Sequence, residues 1–567
     1  MRTTRPHRRL AAAAAPALVA VLALTACAGG SGSAASDGAT STDGSTAGAT
    51  GDPVEGGRLR LAYFPDNAAF ACVDPFQTYW IEHRTVIRNY ADSLTDQDPE
   101  TGEIVPWLAT SWTVDDAGTE YTFDLRTDVT FSDGTAFGPE AVKTAFDSHA
   151  AVLQELPTAY GGVYLAGYES TEVVDADTVV IRFSTPNAAF LQGTSTTNLA
   201  VLAPASYAKT PEERCLGDVV GSGPFVLDSY TPGEGISLSK RDGYAWGSEL
   251  RENTGEAYLD GIDITYVAED SVRIGQLTSG AIDIAWPRQP ITENDQALVT
   301  ANGAQLVSRS LPGPANNLYP NLSEGKVLAE ADVRRALQKA IDRQTYASTV
   351  FGADYPAVTS IYDTTTPGYV DHSENLAHDP DGAAELLEDA GWALEDDGYR
   401  YRDGQRLRLS TPVVQGFTAG DQLIQDQLKA VGIDLQLDVI TQAQRSDVLS
   451  SGDYDLISTY YTRADPGVIQ WIVDSRYAGS KAQADNALTP EQAAQVQALL
   501  DEGTTTTDPD ARAEVYGELQ DLYLDEALAF PTFERVQTAA LAADVHGFRF
   551  TSESFGDFAG TWIGDAS

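Results

Sequence analysis

After Met1 the chain contains no methionine, and its six histidines never fall at HExxH or paired spacing. A thioether or histidine metal centre is thereby excluded, and no metal or cofactor is expected. Basic residues are scarce: 36 Lys plus Arg stand against 83 Asp plus Glu, a net charge of −47. A surface this acidic repels nucleic acid and anionic lipid, so neither is an expected partner, and most of the charge serves solubility. Gly221-Ser222-Gly223 lacks the Gly-Lys-Ser/Thr ending of a phosphate loop. Asp96, Asp98 and Glu100 echo a calcium loop, but Trp107 stands where a bidentate glutamate is required. No G-x-S-x-G elbow is present, and the acids are too many to single out a catalytic pair, so no enzyme is expected. Beyond the N-terminal segment no apolar run is long enough to span a membrane.

What is present begins with that segment. Arg2, Arg5, Arg8 and Arg9 precede an apolar run over residues 10–24, the layout of a signal peptide. Leu24-Thr25-Ala26-Cys27 resembles the lipobox of bacterial lipoproteins. The resemblance implies cleavage after residue 26, acylation of Cys27, and a mature chain held outside the cell membrane by lipid alone. Residues 27–55, made mostly of Gly, Ser, Ala, Thr and Asp, cannot bury enough surface to fold and read as a flexible tether. Cys72 and Cys215 remain as an even pair in an oxidising compartment, where a disulfide is expected rather than two buried thiols.

The rest of the chain is long enough for two or three domains. Period-two alternation predicts strands at 58–63, 121–126, 178–183 and 235–239, and strands dominate to about residue 285. The second half changes character. Val333, Ala336, Leu337, Ala340 and Ile341 share one helical face. Asp379 as N-cap, Pro380 at the first position and Gly391 as stop bracket a second helix. A third helix over about 423–430 feeds an alternating strand over 433–439, the habit of a layered α/β lobe.

GGRLRLAYFPDN, PWLATSW, YTFDLR, FSDGT, VGSGPF, YLDGIDITYV, LTSGAIDIAW, VRRALQKAIDR, AAELLEDAGW, LKAVGIDLQL and GDYDLISTYY occur here in that order. Together they resemble the peptide/nickel class of extracellular solute-binding proteins that serve ABC importers. The resemblance implies an α/β clamshell of two lobes with mixed sheets, closing on a ligand. It implies lobe I from 56–91, 206–308 and 535–567, an extra subdomain over 92–205, and lobe II over 309–534. It also implies a monomer that delivers an oligopeptide or peptide-like solute to permease subunits. Another small organic solute, such as a metal chelate, sugar or opine-like compound, is the alternative, and a surface hydrolase the minor one.

Tyr460-Tyr461-Thr462-Arg463-Ala464-Asp465-Pro466 resembles the segment that lines the family's cleft. Peptide-binding members carry an aspartate four residues before the proline, pairing with the peptide's amino terminus; here Thr462 holds that place. Asp465 either takes over the role or caps the following turn. Arg463 either meets a ligand carboxylate or pairs with a neighbouring acid. Among aromatics near the expected cleft edges, Phe70, Trp80, Trp286, Tyr319, Phe417 and Trp471 are further candidates for ligand contact, since rigid rings suit a pocket that takes varied groups.

Overall fold

The computed structural model describes residues 51–564 apart from 66–70, 158, 288–290, 354, 415, 478 and 484–486. The signal segment, Cys27, nearly all of the tether and Phe70 lie outside the described residues.

The first lobe is organised by a seven-stranded sheet in the spatial order Gln305–Ser310, Val536–Leu541, Ile284–Ala285, Arg58–Tyr63, Gly261–Tyr266, Gly235–Lys240, Phe225–Thr231. Arg58–Tyr63 runs parallel to both of its neighbours and the remaining pairings are antiparallel. Its alternation explains its place. Leu59 and Leu61 are buried with Ile262, Ile264 and Ile284, while Arg58 and Arg60 reach outward to Asp263 at 2.7 Å and Asp283 at 2.5 Å. A separate antiparallel sheet orders Ala109–Val114, Glu120–Leu125, Thr178–Phe183 and Tyr168–Val173. Helix Pro139–Glu155 packs Val142, Ala145 and Phe146 into the core that this sheet shares with Phe123, Ile181 and Phe190.

The second lobe contains an antiparallel sheet, Leu456–Thr459, Asn316–Pro320 and Phe530–Phe533. Beside it lies a parallel pair, Arg408–Val414 and Asp434–Ile440, joined by helix Ala419–Ala430. Leu318, Leu337, Ile424, Leu428, Leu435 and Phe530 share one core. The chain crosses between the first lobe's large sheet and this three-stranded sheet at residues 310–316 and again at 533–536. Two such crossings form a hinge.

Most periodic segments behave as their patterns require. Helix Ala331–Ala340 buries the expected face, and Asp379 caps Pro380–Asp389 by accepting from the Gly382 N–H at 2.9 Å. Gly391 supplies the left-handed stop at φ 85°. The helix expected from Leu423 starts earlier, at Ala419, because Thr418 and Asp421 close a reciprocal capping box ahead of the apolar stripe. The strand-rich first half also holds helices that the alternation did not announce, Ile81–Tyr90, Pro139–Glu155 and Asp270–Thr278 among them.

Buried ion pairs brace the first lobe. Arg88 pairs with Asp96 at 2.7 Å and Arg251 with Asp557 at 2.7 Å, and both guanidinium groups lie over the Trp107 ring, at 4.4 and 4.9 Å. Burial alone would raise the Asp557 carboxyl, but Arg251 and Arg88 outweigh it and hold the group well below the usual carboxylate range. Cys72 and Cys215 form a disulfide, beside the buried pair of Arg214 and Asp74. Among the described residues no helix is long and apolar enough to cross a membrane.

Candidate functional site

A cavity of about 260 Å³ lies mainly in the second lobe, against both hinge crossings and the start of the first-lobe strand Val536–Leu541. Leu311, Asn316, Phe533, Arg535, Val536 and Gln537 enter it from the crossings and the strand ends beside them. Thr411, Thr418, Gly420, Asp421, Ile424, Leu435 and Leu437 enter from the parallel pair and its helix, and Ser458 and Tyr460 close a third side. Apolar groups thus face a small number of polar ones, the usual make-up of a small-molecule site.

The surrounding elements are fixed from behind. Arg343 is buried and donates to the carbonyls of Pro531, Gln338, Ile341 and Leu376, which pins helix Arg343–Val350 to strand Phe530–Phe533; burial pushes its guanidinium down to about 9. In consequence Tyr346 stacks on Phe533 with ring centroids 5.7 Å apart, and both rings face the cavity. Tyr355 donates to the Glu534 carbonyl at 2.8 Å and accepts from the Val536 N–H at 3.2 Å, holding the second crossing. Arg535 spans the hinge, donating to Asp363 at 2.6 Å, to Thr462 Oγ1 at 2.8 Å and to the Pro312 carbonyl at 3.1 Å. Its face lies 5.0 Å from the Tyr460 ring.

Next to the cavity the segment 460–465 packs onto the first lobe. The Thr462 carbonyl accepts from Arg84 at 3.3 Å and from the Tyr160 hydroxyl at 3.2 Å. Arg463 donates to the Tyr160 carbonyl at 2.5 Å and lies 3.8 Å above the Tyr160 ring, a cation-π contact. The Ala464 N–H donates to Glu553 at 3.4 Å. Tyr79, two-fifths exposed, stands beside Tyr160 with ring centroids 5.1 Å apart; burial and the neighbouring Tyr160, Tyr460 and Tyr461 hydroxyls raise its own. The two lobes therefore meet through tyrosines interleaved with arginines.

The sequence candidates fall at several different places in the structure. Asp465 is buried, receives Arg512 at 2.6 and 3.0 Å and accepts from the Gly467 N–H at 2.8 Å, so it caps the turn and carries a structural ion pair. Arg463 meets a backbone carbonyl and an aromatic face, neither a surface acid nor open space. Trp286 is 1% exposed, edge-on to Tyr63 and Phe550 in the first lobe's core. Tyr319 is fully buried in a second-lobe core, where its hydroxyl accepts from Asn317. Side chains on short strands alternate faces, and both rings point inward. Tyr461 and Trp80 are half-buried, Trp80 at the start of helix Ile81–Tyr90. Trp471 is half-buried near Tyr477, and Phe417 is exposed immediately before Thr418. None of these four rings lines the cavity.

Cavity residues missed by sequence reasoning, among them Asn316, Tyr346, Asp421, Ser458, Thr532 and Arg535, come from five separate stretches. Only the capping pattern Thr418-x-x-Asp421 marked any of them locally. One hydrolase-like alignment does occur: Ser360 Oγ lies 3.3 Å from His372 Nδ1, and His372 Nε2 lies 2.7 Å from Asp521. Ser360 is fully buried and is also bonded to Gln520, so no substrate carbonyl reaches it.

The family model described as bacterial extracellular solute-binding proteins, family 5 middle, matches residues 103–481. The glutathione-binding protein GsiB of Salmonella paratyphi A is 26% identical over 490 residues, covering 84% of this chain and 90% of that one. Among solved structures, NikA from Brucella suis in complex with Fe(III)-EDTA aligns with a TM-score of 0.77 at 23% identity, over 90% of this chain and 100% of that one. DppA from Helicobacter pylori in complex with the peptide STSA aligns with a TM-score of 0.69 at 21% identity, over 90% and 99%. The fold is thus that of two-lobed periplasmic binding proteins, and the chain belongs to family 5 of the bacterial extracellular solute-binding proteins.

Proposed function

We propose that the protein captures a small peptide or peptide-like solute between its lobes and delivers it to the permease of an ABC importer, making and breaking no bond. The observation that carries this reading is the cavity at the hinge, where an apolar wall faces isolated polar groups and both interlobe crossings contribute side chains. A ligand there touches the hinge directly, so its binding energy biases closure, and a permease distinguishes loaded from empty by shape. The names of relatives favour ligands of this size: glutathione is a tripeptide, and DppA was solved with a four-residue peptide. Lobe boundaries near residues 308 and 535, an extra subdomain over 92–205, and a lipid on Cys27 that tethers a monomer outside the cell membrane complete the proposal. A tether of this kind raises the local concentration of the protein beside its permease.

A second reading, a binder of a chelate or an opine-like solute, draws on Thr462, which stands where peptide-binding members carry a carboxylate. Thermal unfolding separates the two. Dipeptide and tripeptide mixtures, with glutathione, are expected to raise the midpoint, since ligand at 100 times Kd adds about 2.7 kcal/mol to stability. No shift at millimolar peptide, with a shift on adding a metal chelate or an opine, overturns the peptide reading in favour of the second.

A further inference from the structure

A second cavity, of about 280 Å³, shares no lining residue with the first. Gln97, Asp98, Glu100 and Arg309 enter it from the first-lobe side, and Thr364 and Thr365 from the second. Its wall is rich in acceptors whose companion donors are already spent. Thr364 gives its hydroxyl hydrogen to the Glu534 carboxylate and Thr365 gives its own to the Ser310 carbonyl at 3.1 Å, so each hydroxyl keeps only lone pairs for a further partner. Gln97 donates from Nε2 to the Gly102 carbonyl at 3.0 Å. A carbonyl only accepts, so this bond fixes which end of the amide is oxygen. The Oε1 atom then accepts nothing among the described residues, although Gln97 is 3% exposed and belongs to the cavity wall. A buried acceptor left without a donor is costly unless a ligand supplies one.

Charge points the same way. Asp98 has no ion-pair partner among the described residues. Its Oδ1 receives the Glu100 and Thr101 N–H groups at 2.7 and 2.9 Å, which shapes the turn, and its Oδ2 receives nothing among the described residues. Arg309 is the one basic residue on the wall, and it is directed at the protein's own groups: Nη2 donates to the Pro99 carbonyl at 2.5 Å and Nη1 lies 4.0 Å from Glu100. Two carboxylates against one guanidinium leave the wall negative. A cation that carries several N–H donors therefore meets a carboxylate oxygen, an amide oxygen and hydroxyl lone pairs together.

We infer that this cavity is a second binding site, one that takes a primary alkylammonium group, which pairs with Asp98 and donates to Gln97 Oε1 on the first-lobe side and to the Thr365 hydroxyl on the second. Three donors on one nitrogen match acceptors that arrive from both lobes, and a quaternary amine of the same charge offers none. The site stands apart from the solute cavity and does not depend on which solute that cavity takes.

The test is calorimetric titration of the ligand-free protein with propylammonium chloride at constant ionic strength, with the chlorides of tetramethylammonium, potassium and calcium as comparison cations. Propylammonium is expected to saturate a single site at millimolar concentration, and the other three are expected not to. Asp98→Asn keeps an oxygen for the turn N–H groups and is expected to weaken propylammonium roughly 10- to 100-fold, the range for a hydrogen bond to a charged group. Thr365→Val keeps the side chain's shape and leaves the Ser554 hydroxyl on the Ser310 carbonyl at 2.9 Å, and a smaller loss is expected. Asp426→Asn, an exposed acid outside both cavities, is expected to change nothing. Unchanged unfolding midpoints check that the variants are folded, and the comparison of cations on the native protein stands without them. No saturable binding of propylammonium overturns the proposal. Equal binding of tetramethylammonium, or an equal loss in Asp426→Asn, also overturns it, because the acidic surface as a whole then accounts for the effect. Saturable calcium binding that Asp98→Asn abolishes, with none for propylammonium, gives the cavity to a metal ion and overturns the ammonium assignment.

Discussion

The two sides of the hinge region present opposite faces to a ligand. On the first-lobe side, residues 71–84 and the segment 460–465 docked against them hold many charges, and nearly every one is engaged by protein: Asp74 by Arg214, Asp465 by Arg512, Arg463 by Tyr160. On the second-lobe side the cavity wall carries two charged residues, Arg535, which is paired with Asp363, and Asp421, which has no ion-pair partner among the described residues. Charge density therefore marks bracing here. A buried polar group is informative through what it lacks.

The sharpest way to break this comparison is Asp465→Ala. If Asp465 is a brace, its loss leaves the buried Arg512 guanidinium unpaired and costs about 3 to 5 kcal/mol of stability, seen as a lower denaturant midpoint with an unchanged slope. Peptide affinity of the folded fraction should stay within a few-fold. A collapse of affinity at native stability would return Asp465 to the ligand. Reducing the Cys72–Cys215 disulfide probes the same side. The bond closes a stretch with a sequence separation of 143 residues, so its loss should cost roughly 5 kcal/mol in the chain-entropy model. Intact-mass analysis should first show neither cysteine alkylated without reduction. An unchanged midpoint after reduction would show that Asp74, Arg214 and the bond from the Val73 N–H to the Cys215 carbonyl hold the loop by themselves.

Periodicity made much of the scaffold legible, because strands such as Arg58–Tyr63 and helices such as Ala331–Ala340 each bury one face. It failed for Ile81–Tyr90, where Glu82, His83, Arg84, Arg88 and Asn89 are all buried, so polarity did not mark an outer face. In Pro139–Glu155 the inward stripe mixes Ala141, Ala145 and His149 with Val142, Phe146 and Val152, a weak signal against the alternating strands nearby. The site was harder still. Trp286 and Tyr319 looked suited to a ligand by residue type, but a ring at the end of a short strand reaches either face, and both reach the core. Asn316 and Ser458 lie far apart in the chain and meet only because Asn316–Pro320 pairs with Leu456–Thr459. No local pattern carries such a pairing.

The smallest effect comes from His149, which tests how tightly the first-lobe side is packed. Its ring stacks on Phe76 with centroids 4.3 Å apart, Phe146 and Tyr207 lie edge-on, and neither nitrogen has a partner among the described residues. Burial, helped by Arg214, pushes its pKa down to about 3. The unfolded chain protonates near 6.5, so below that pH it binds a proton that the native state refuses. The contribution is thus fully present above pH 6.5 and is lost as pH falls toward 3, by about 1.4 kcal/mol per unit, or roughly 2 kcal/mol at pH 5. Subtracting the stability-against-pH curve of His149→Phe, which keeps a ring on Phe76 and removes the proton, isolates this slope from the other titrating groups. A flat difference between pH 7 and 5 would mean that water reaches the ring and that the packing of Phe76, Phe146 and Tyr207 around it is open to solvent.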